Sequence, residues 1–287
     1  MERRKFIKAG TFSLLAMQLK EFSNTFQQEQ DIVMPAMFVG HGNPMNAIED
    51  NEFSRGWEAQ GKLLPVPKAI LCISAHWLTR GTRVAAMEKP ETIHDFGGFP
   101  QTLFDVQYPA PGSPEFAKET STVITKTKVE LDFEWGLDHG CWSVLNKMFP
   151  NADIPVYQLS IDYYQTPAYH YALAEELKSL RKKGVLIMGS GNIVHNLGMV
   201  QWADTAYDWA IEFDTKIKEF IDARNHQGVI NYKDLGKSAL LSVPTNDHFL
   251  PLIYTLGVTD TKEAISYFNE KNTMGAVSMR SFVAGLS

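Results

Sequence analysis

An α/β fold is what this sequence predicts, and three observations predict it. From Met34 onward short apolar runs alternate with helix-period patterns, several of those runs have no polar face, and no repeat or low-complexity tract interrupts them. Runs apolar on both faces are what strands covered on both sides carry. A chain of 287 residues suggests about two domains at ~150 residues each, yet no Pro/Gly/Ser-rich linker cuts it after Met34. One domain is therefore expected over residues 34–287.

Strands are expected at Ala36–Gly40 and Ala69–Ser74, then over residues 84–87, 154–160, 185–188 and 239–243, with a last one near residues 277–283. Between them, Thr166 is a helix N-cap with Pro167 at the first helical position. Tyr169, Leu173, Leu177 and Leu180 follow at helical spacing until Gly184 ends the pattern. Trp202, Ala206, Trp209, Phe213, Ile217 and Phe220 form a second stripe, read as the core face of a helix rather than a cofactor box.

Hydrophobic residues at 44% and charged residues at 21% exclude disorder, collagen and coiled coil. A net charge of -6 without a basic run excludes nucleic acid as a partner. Cys72 and Cys141 show no metal-binding spacing, so any metal is left to His, Asp or Glu.

Four of the eight histidines follow predicted strands: His41 in G-H-G-N-P, His76 in S-A-H-W, His195 in N-I-V-H-N and His248 in N-D-H-F. Ligands of open α/β sheets bind beyond the carboxyl ends of strands, so these imidazoles are placed to converge as a metal site or an acid/base cluster. Asp247 is either an acceptor behind His248 or a solvated acid. His94 and His139 lie in Gly- and aromatic-rich loops suited to walling a flat substrate, whereas His170 and His226 are assigned no role.

Other motifs fail. Gly189-x-Gly191 lacks the third glycine of a dinucleotide fingerprint, Val194 standing there, and Ser190, although between Gly189 and Gly191, has Met188 and Asn192 where a nucleophile elbow needs glycine. No P-loop or H-E-x-x-H is present.

Residues 1–33 read as leader and linker. Arg3, Arg4, Lys5 and Lys8 precede an apolar stretch, residues 9–19, too short to be a transmembrane segment. The order R-R-K-F-I-K resembles a twin-arginine export signal, but no A-x-A cleavage site follows. Two compartments stay open, the cytoplasm and the periplasm.

Taken together, V-G-H-G-N-P-M-N, I-S-A-H-W-L-T-R-G, T-I-H-D-F-G-G-F-P, G-L-D-H-G-C-W, S-G-N-I-V-H-N-L and D-H-F-L-P-L, in this order, resemble the DODA-type class III extradiol ring-cleaving dioxygenases. The resemblance runs from about Met34 to the C-terminus. It implies a three-layer α/β/α single domain with a largely parallel or mixed central sheet, and a non-haem metal on His41, His76 and His248. It further implies His195 as catalytic acid/base and possible fourth ligand, His139 as a catalytic pocket histidine, and His94 with Asp95 on the substrate-binding loop.

The implied substrates are dioxygen and a DOPA-like catechol, opened beside its diol to a muconic semialdehyde, with Phe96, Phe99 and Trp77 as candidates to stack on the ring. Fe(II) is the expected working ion. A three-His set also suits Zn(II), which cannot cycle redox states. Two other readings share these residues: a Memo-like metal-binding interaction protein on the same scaffold, and a zinc-dependent hydrolase with His195 as base.

Overall fold

The computed structural model describes residues 33–286. The leader and export expectations fall on residues 1–32, outside the described ones. Strands β1 (Ala36–Gly40), β2 (Ala69–Ser74), β3 (Val156–Gln158), β4 (Val185–Gly191), β5 (Ile265–Phe268) and β6 (Ser281–Ala284) form one sheet in the order β3-β2-β4-β1-β6-β5. The first four in that order are parallel, with Ala36 beside Ile187 and Ala69 beside Val185. β6 runs antiparallel to both β1 and β5, so the sheet is mixed.

Alternation along each strand sends side chains to opposite faces and so builds two cores. Phe38, Leu71, Ile73 and Ile187 face one layer, which includes α3 (Pro167–Arg181), α4 (Asp208–Asp222) and α6 (Leu250–Val258). Met37, Val39, Ile70 and Met188 face the other, where α1 (Glu52–Leu63) supplies Trp57 and α2 (His139–Met148) supplies Trp142 and Leu145. Three α/β/α layers result, as expected. Among the described residues no helix is long and apolar enough to cross a membrane.

The helix at Thr166 forms as its sequence requires. The Thr166 hydroxyl accepts from the Tyr169 amide, Pro167 occupies the first turn, and Gly184 beyond the C-terminus takes a φ of 90°.

Two expectations are corrected. Residues 239–243 are not a strand: α5 (Lys237–Ser242) covers them, burying Ser238, Ala239 and Ser242 while Leu240 is 68% exposed. A short apolar run does not distinguish period 2 from period 3.6, and the preceding Gly236, at φ 71°, starts the helix. The stripe beginning at Trp202 is also shorter than its pattern. α4 starts at Asp208, because the segment before it pairs with the C-terminal loop: Gln201 N donates to Met274 O, Tyr207 N to Gly275 O, and Gly275 N to Thr205 O. Phe213 and Ile217 are core, but Trp202 is 80% exposed.

Residues 84–87 also belong elsewhere than the main sheet. The strand there, Thr82–Ala85, pairs with Val129–Asp132 in a two-stranded sheet.

Candidate active site

β1 ends at Gly40 and delivers His41, β2 ends at Ser74 and delivers His76, and the loop after β4 carries His195. His248 comes from the connection between α5 and α6, not from a strand end. Gly191 makes that placement possible: a Cβ there would stand 2.2 Å from the His248 carbonyl oxygen, which accepts from Asn192 N at 2.8 Å. The connection thus lies flat on the end of β4.

The rings converge. His41 Nε2 and His76 Nε2 are 3.1 Å apart, and the His248 ring centroid is 5.2 Å from that of His41 and 5.0 Å from that of His76. His195 stacks on His248 at 3.5 Å with planes 8° apart, and His139 lies 3.9 Å from His76. Two trios have ligating atoms within 4.8 Å of one another: His41, His76 and His139, and His195, Asp247 and His248. The expected ligand set takes two members of the first and one of the second. His139 and His195 flank it.

Hydrogen bonding fixes which nitrogen of each ring is free. The Ser190 hydroxyl donates to Gly140 O at 2.5 Å, so its oxygen accepts from His41 Nδ1 at 3.0 Å. His248 Nδ1 donates to Asp247 Oδ2 at 2.5 Å, and His76 Nδ1 stands 3.4 Å from Asp95 Oδ2. His41 and His248 therefore carry their proton at Nδ1 and keep a lone pair at Nε2, the pattern of metal-binding histidines, and the Asp95 carboxylate favours the same arrangement for His76.

Two lone pairs facing each other at 3.1 Å repel unless a cation or proton lies between them. At a metal–nitrogen bond of ~2.0–2.1 Å, neighbouring ligand nitrogens stand about 3.0–3.4 Å apart, so these residues fit a metal. Burial, followed by repulsion from neighbouring histidines, holds His41 and His76 well below the ordinary imidazole range. They are neutral and ready to ligate at neutral pH. Burial and His248 lower His195 to about 3. Burial opposes ionisation of Asp247, but the His248 hydrogen bond and charge outweigh it and hold the carboxyl low.

A buried network beneath the rings has no counterpart in the sequence reading. Asp138 caps α2, accepting from Cys141 N, from Ser74 Oγ at 2.6 Å and from Gln158 Nε2 at 2.7 Å. It ties the ends of β2 and β3 to the helix that starts at His139. Asp is a preferred N-cap residue, but the His139-Gly140-Cys141-Trp142 that follows is no run of helix formers, so the cap was not announced locally. Cys72 and Cys141 lie in the core below, their thiols pushed up by burial.

A cavity of about 490 Å³ opens over the histidines, walled by Phe96, Phe99, Leu197, Val200, Trp202 and Met274. Among the described residues, no Lys or Arg lines it. His41, His76, Asp95, His139, His195 and His248 all reach this cavity, and His94 does not. The His94 Nε2 donates to Val106 O at 3.0 Å and its ring packs on Phe96, Phe104 and Trp142. Trp77 is also away from the cavity, 3% exposed and stacked on Trp135. His170 and His226 sit in other parts of the fold, bonded to Tyr254 and Tyr171.

Comparison with known proteins places this geometry in a class. Residues 20–282 match the family model described as the catalytic LigB subunit of aromatic ring-opening dioxygenase. The chain belongs to that family, is an extradiol dioxygenase of the DODA type, and depends on a non-haem metal as the family does. It is 47% identical over 258 residues to the 4,5-DOPA dioxygenase extradiol of Escherichia coli K12, covering 88% of this chain and 95% of that protein. With the 4,5-DOPA dioxygenase extradiol of Beta vulgaris it shares 34% over 261 residues, covering 88% and 97%. A crystal structure of an uncharacterized Escherichia coli K12 protein superposes with a TM-score of 0.75 at 42% identity, spanning 88% of this chain and all of that one.

Proposed function

We propose that this enzyme opens the ring of a DOPA-like catechol by 4,5-extradiol cleavage with dioxygen, giving a muconic semialdehyde, with Fe(II) as the working ion. The observation that carries the reading is the set of three Nε2 lone pairs on His41, His76 and His248, under an aromatic-walled cavity that His139 and His195 also enter. Held there, ferrous iron supplies the redox chemistry through which dioxygen and a catechol react. Zn(II) fits the same three imidazoles without that capacity.

The chain's own residues do the rest. Phe96 and Phe99 offer aromatic faces to a flat ring. His195 takes a proton from a catechol hydroxyl and returns one as the ring opens, a task for an imidazole close to the bound diol. His139, at the start of α2, donates a hydrogen bond toward negative charge developing on oxygen. A carboxylate tail meets no cationic side chain in the lining, so ring and diol carry recognition.

The test is oxygen uptake by protein loaded anaerobically with Fe(II), given DOPA, its methyl ester and 4-methylcatechol beside a zinc-loaded control. Uptake coupled to a yellow ring-opened product with iron alone is the expected result. An iron-loaded protein inert toward every catechol overturns the proposal.

A further inference from the structure

We infer that Asp95 is a positioning residue that sets the ring tautomers of His76 and His139 together. Its carboxylate straddles the two imidazoles. Oδ1 accepts from the His139 amide at 2.9 Å and lies 3.0 Å from His139 Nδ1, while Oδ2 lies 3.4 Å from His76 Nδ1. With the two rings 3.9 Å apart, one side chain reaches both. The N–H of His139 is off the line to Oδ1, so that contact is electrostatic in character rather than a fully aligned hydrogen bond.

An ionised carboxylate only accepts, so each facing nitrogen is favoured with its proton on and each Nε2 with its lone pair free.

The neighbouring residues hold the carboxylate in place. On one side His94 is tied to Val106 O, and on the other Phe96 meets the His139 ring edge-on at 5.5 Å. Both oxygens face protein groups, Oδ1 the His139 amide and ring and Oδ2 the His76 ring. Ser190 and Asp247 each serve one ring; Asp95 serves two, one in the proposed ligand set and one on the cavity wall. An amide in its place has one accepting and one donating end. The donating end favours the opposite tautomer in whichever ring it faces, with the proton at Nε2.

The His76 half of this inference rests on the metal reading above, and the His139 half does not. The experiment therefore has two arms, on wild type, Asp95→Asn and Asp95→Glu. In the first, 15N-histidine NMR of the metal-free protein reports the tautomer of each ring, with His139→Gln used for assignment. Nδ1–H on His139 of the wild type, and Nε2–H on His139 in Asp95→Asn, is the expected result. In the second, Co(II) affinity is measured by chelator competition and kcat and KM are measured separately. Asp95→Asn should weaken Co(II) by about 10- to 100-fold and lower kcat more than it raises KM, with Asp95→Glu restoring part of both.

A wild-type spectrum with Nε2–H on His139 overturns the inference whether or not the variants fold, as does an unchanged His139 tautomer in Asp95→Asn. Failure of the wild type to bind Co(II) counts against the metal reading instead, and the NMR arm still decides the role of Asp95.

Discussion

Ser190 holds His41 from behind: its hydroxyl proton is committed to Gly140 O, so its oxygen has only an acceptor's role toward His41 Nδ1. Both residues are buried, and the Gly140 carbonyl belongs to α2, so this one hydroxyl links β4, the loop after β1 and the helix that begins at His139. Ser190→Ala strands the Nδ1 proton of His41 without a partner, an omission worth about 1–3 kcal/mol when buried. The variant is expected to melt earlier and to bind Co(II) about tenfold less tightly. Calorimetry and chelator competition read both; unchanged metal affinity would remove Ser190 from the assembly of the site.

His195 and the proposed ligands separate by what their loss removes. His195→Ala should retain bound iron while turnover falls about 10²- to 10⁴-fold, the usual worth of a positioned acid/base. His41→Ala or His76→Ala should lose iron, visible by elemental analysis before any assay. Full turnover in His195→Ala would move the acid/base role to another residue.

Trp202 and Phe213 looked alike as members of one helical stripe, and the fold puts them to different uses. Phe213→Ala empties a fully buried position, a loss of about 3–5 kcal/mol. Trp202→Ala removes an exposed wall of the cavity, so stability should change by less than about 0.5 kcal/mol while KM for catechols rises several-fold. A Trp202→Ala variant with unaltered KM would show that the rim makes no contact with substrate.

His170 makes the fold acid-sensitive at a point remote from the chemistry. Burial lowers it from 6.5 to about 4; its Nδ1 meets the Tyr254 hydroxyl at 2.9 Å and its Nε2 has no partner. Between those two values the unfolded chain binds a proton that the folded chain refuses, so stability falls as pH drops from about 6.5 to about 4. The slope from this group is at most about 1.4 kcal/mol per pH unit. Urea unfolding at pH 7 and pH 5 should show that His170→Gln loses less stability on acidification than the wild type. Equal losses would assign the acid sensitivity to other groups.

What was legible in the sequence follows the range of the interaction that decides each feature. β1 and β2 match the predicted Ala36–Gly40 and Ala69–Ser74, because a continuously apolar run bounded by proline or lysine on one side and by glycine or serine on the other states its own case. The helix at Thr166 and Pro167 was equally plain, since cap and first turn are neighbours in the chain. The run at 239–243 misled because too few residues were available to show a period. Trp202 misled because its neighbours Gln201 and Ala203 pair with Met274, and nothing local signals that.

The histidines of the site were visible as residue types after strands, whereas their orienting partners were not. Ser190 was weighed only as a nucleophile; that its hydroxyl faces His41 depends on β1 and β4 lying side by side. Asp138 and Gln158 meet in the same way, across the packing of α2 on the sheet.

The proposed ligands come from the loops after β1 and β2 and from the connection before α6, so they join the first strand of the domain to a helix near its end. An ion held by all three acts as a cross-link that closes a very long loop, as a disulfide between distant cysteines does. Such a site cannot form on a partial chain or on a half of the sheet. Metal capture is then a reporter of completed folding, and free metal ion in the surroundings shifts the population toward the finished sheet by mass action.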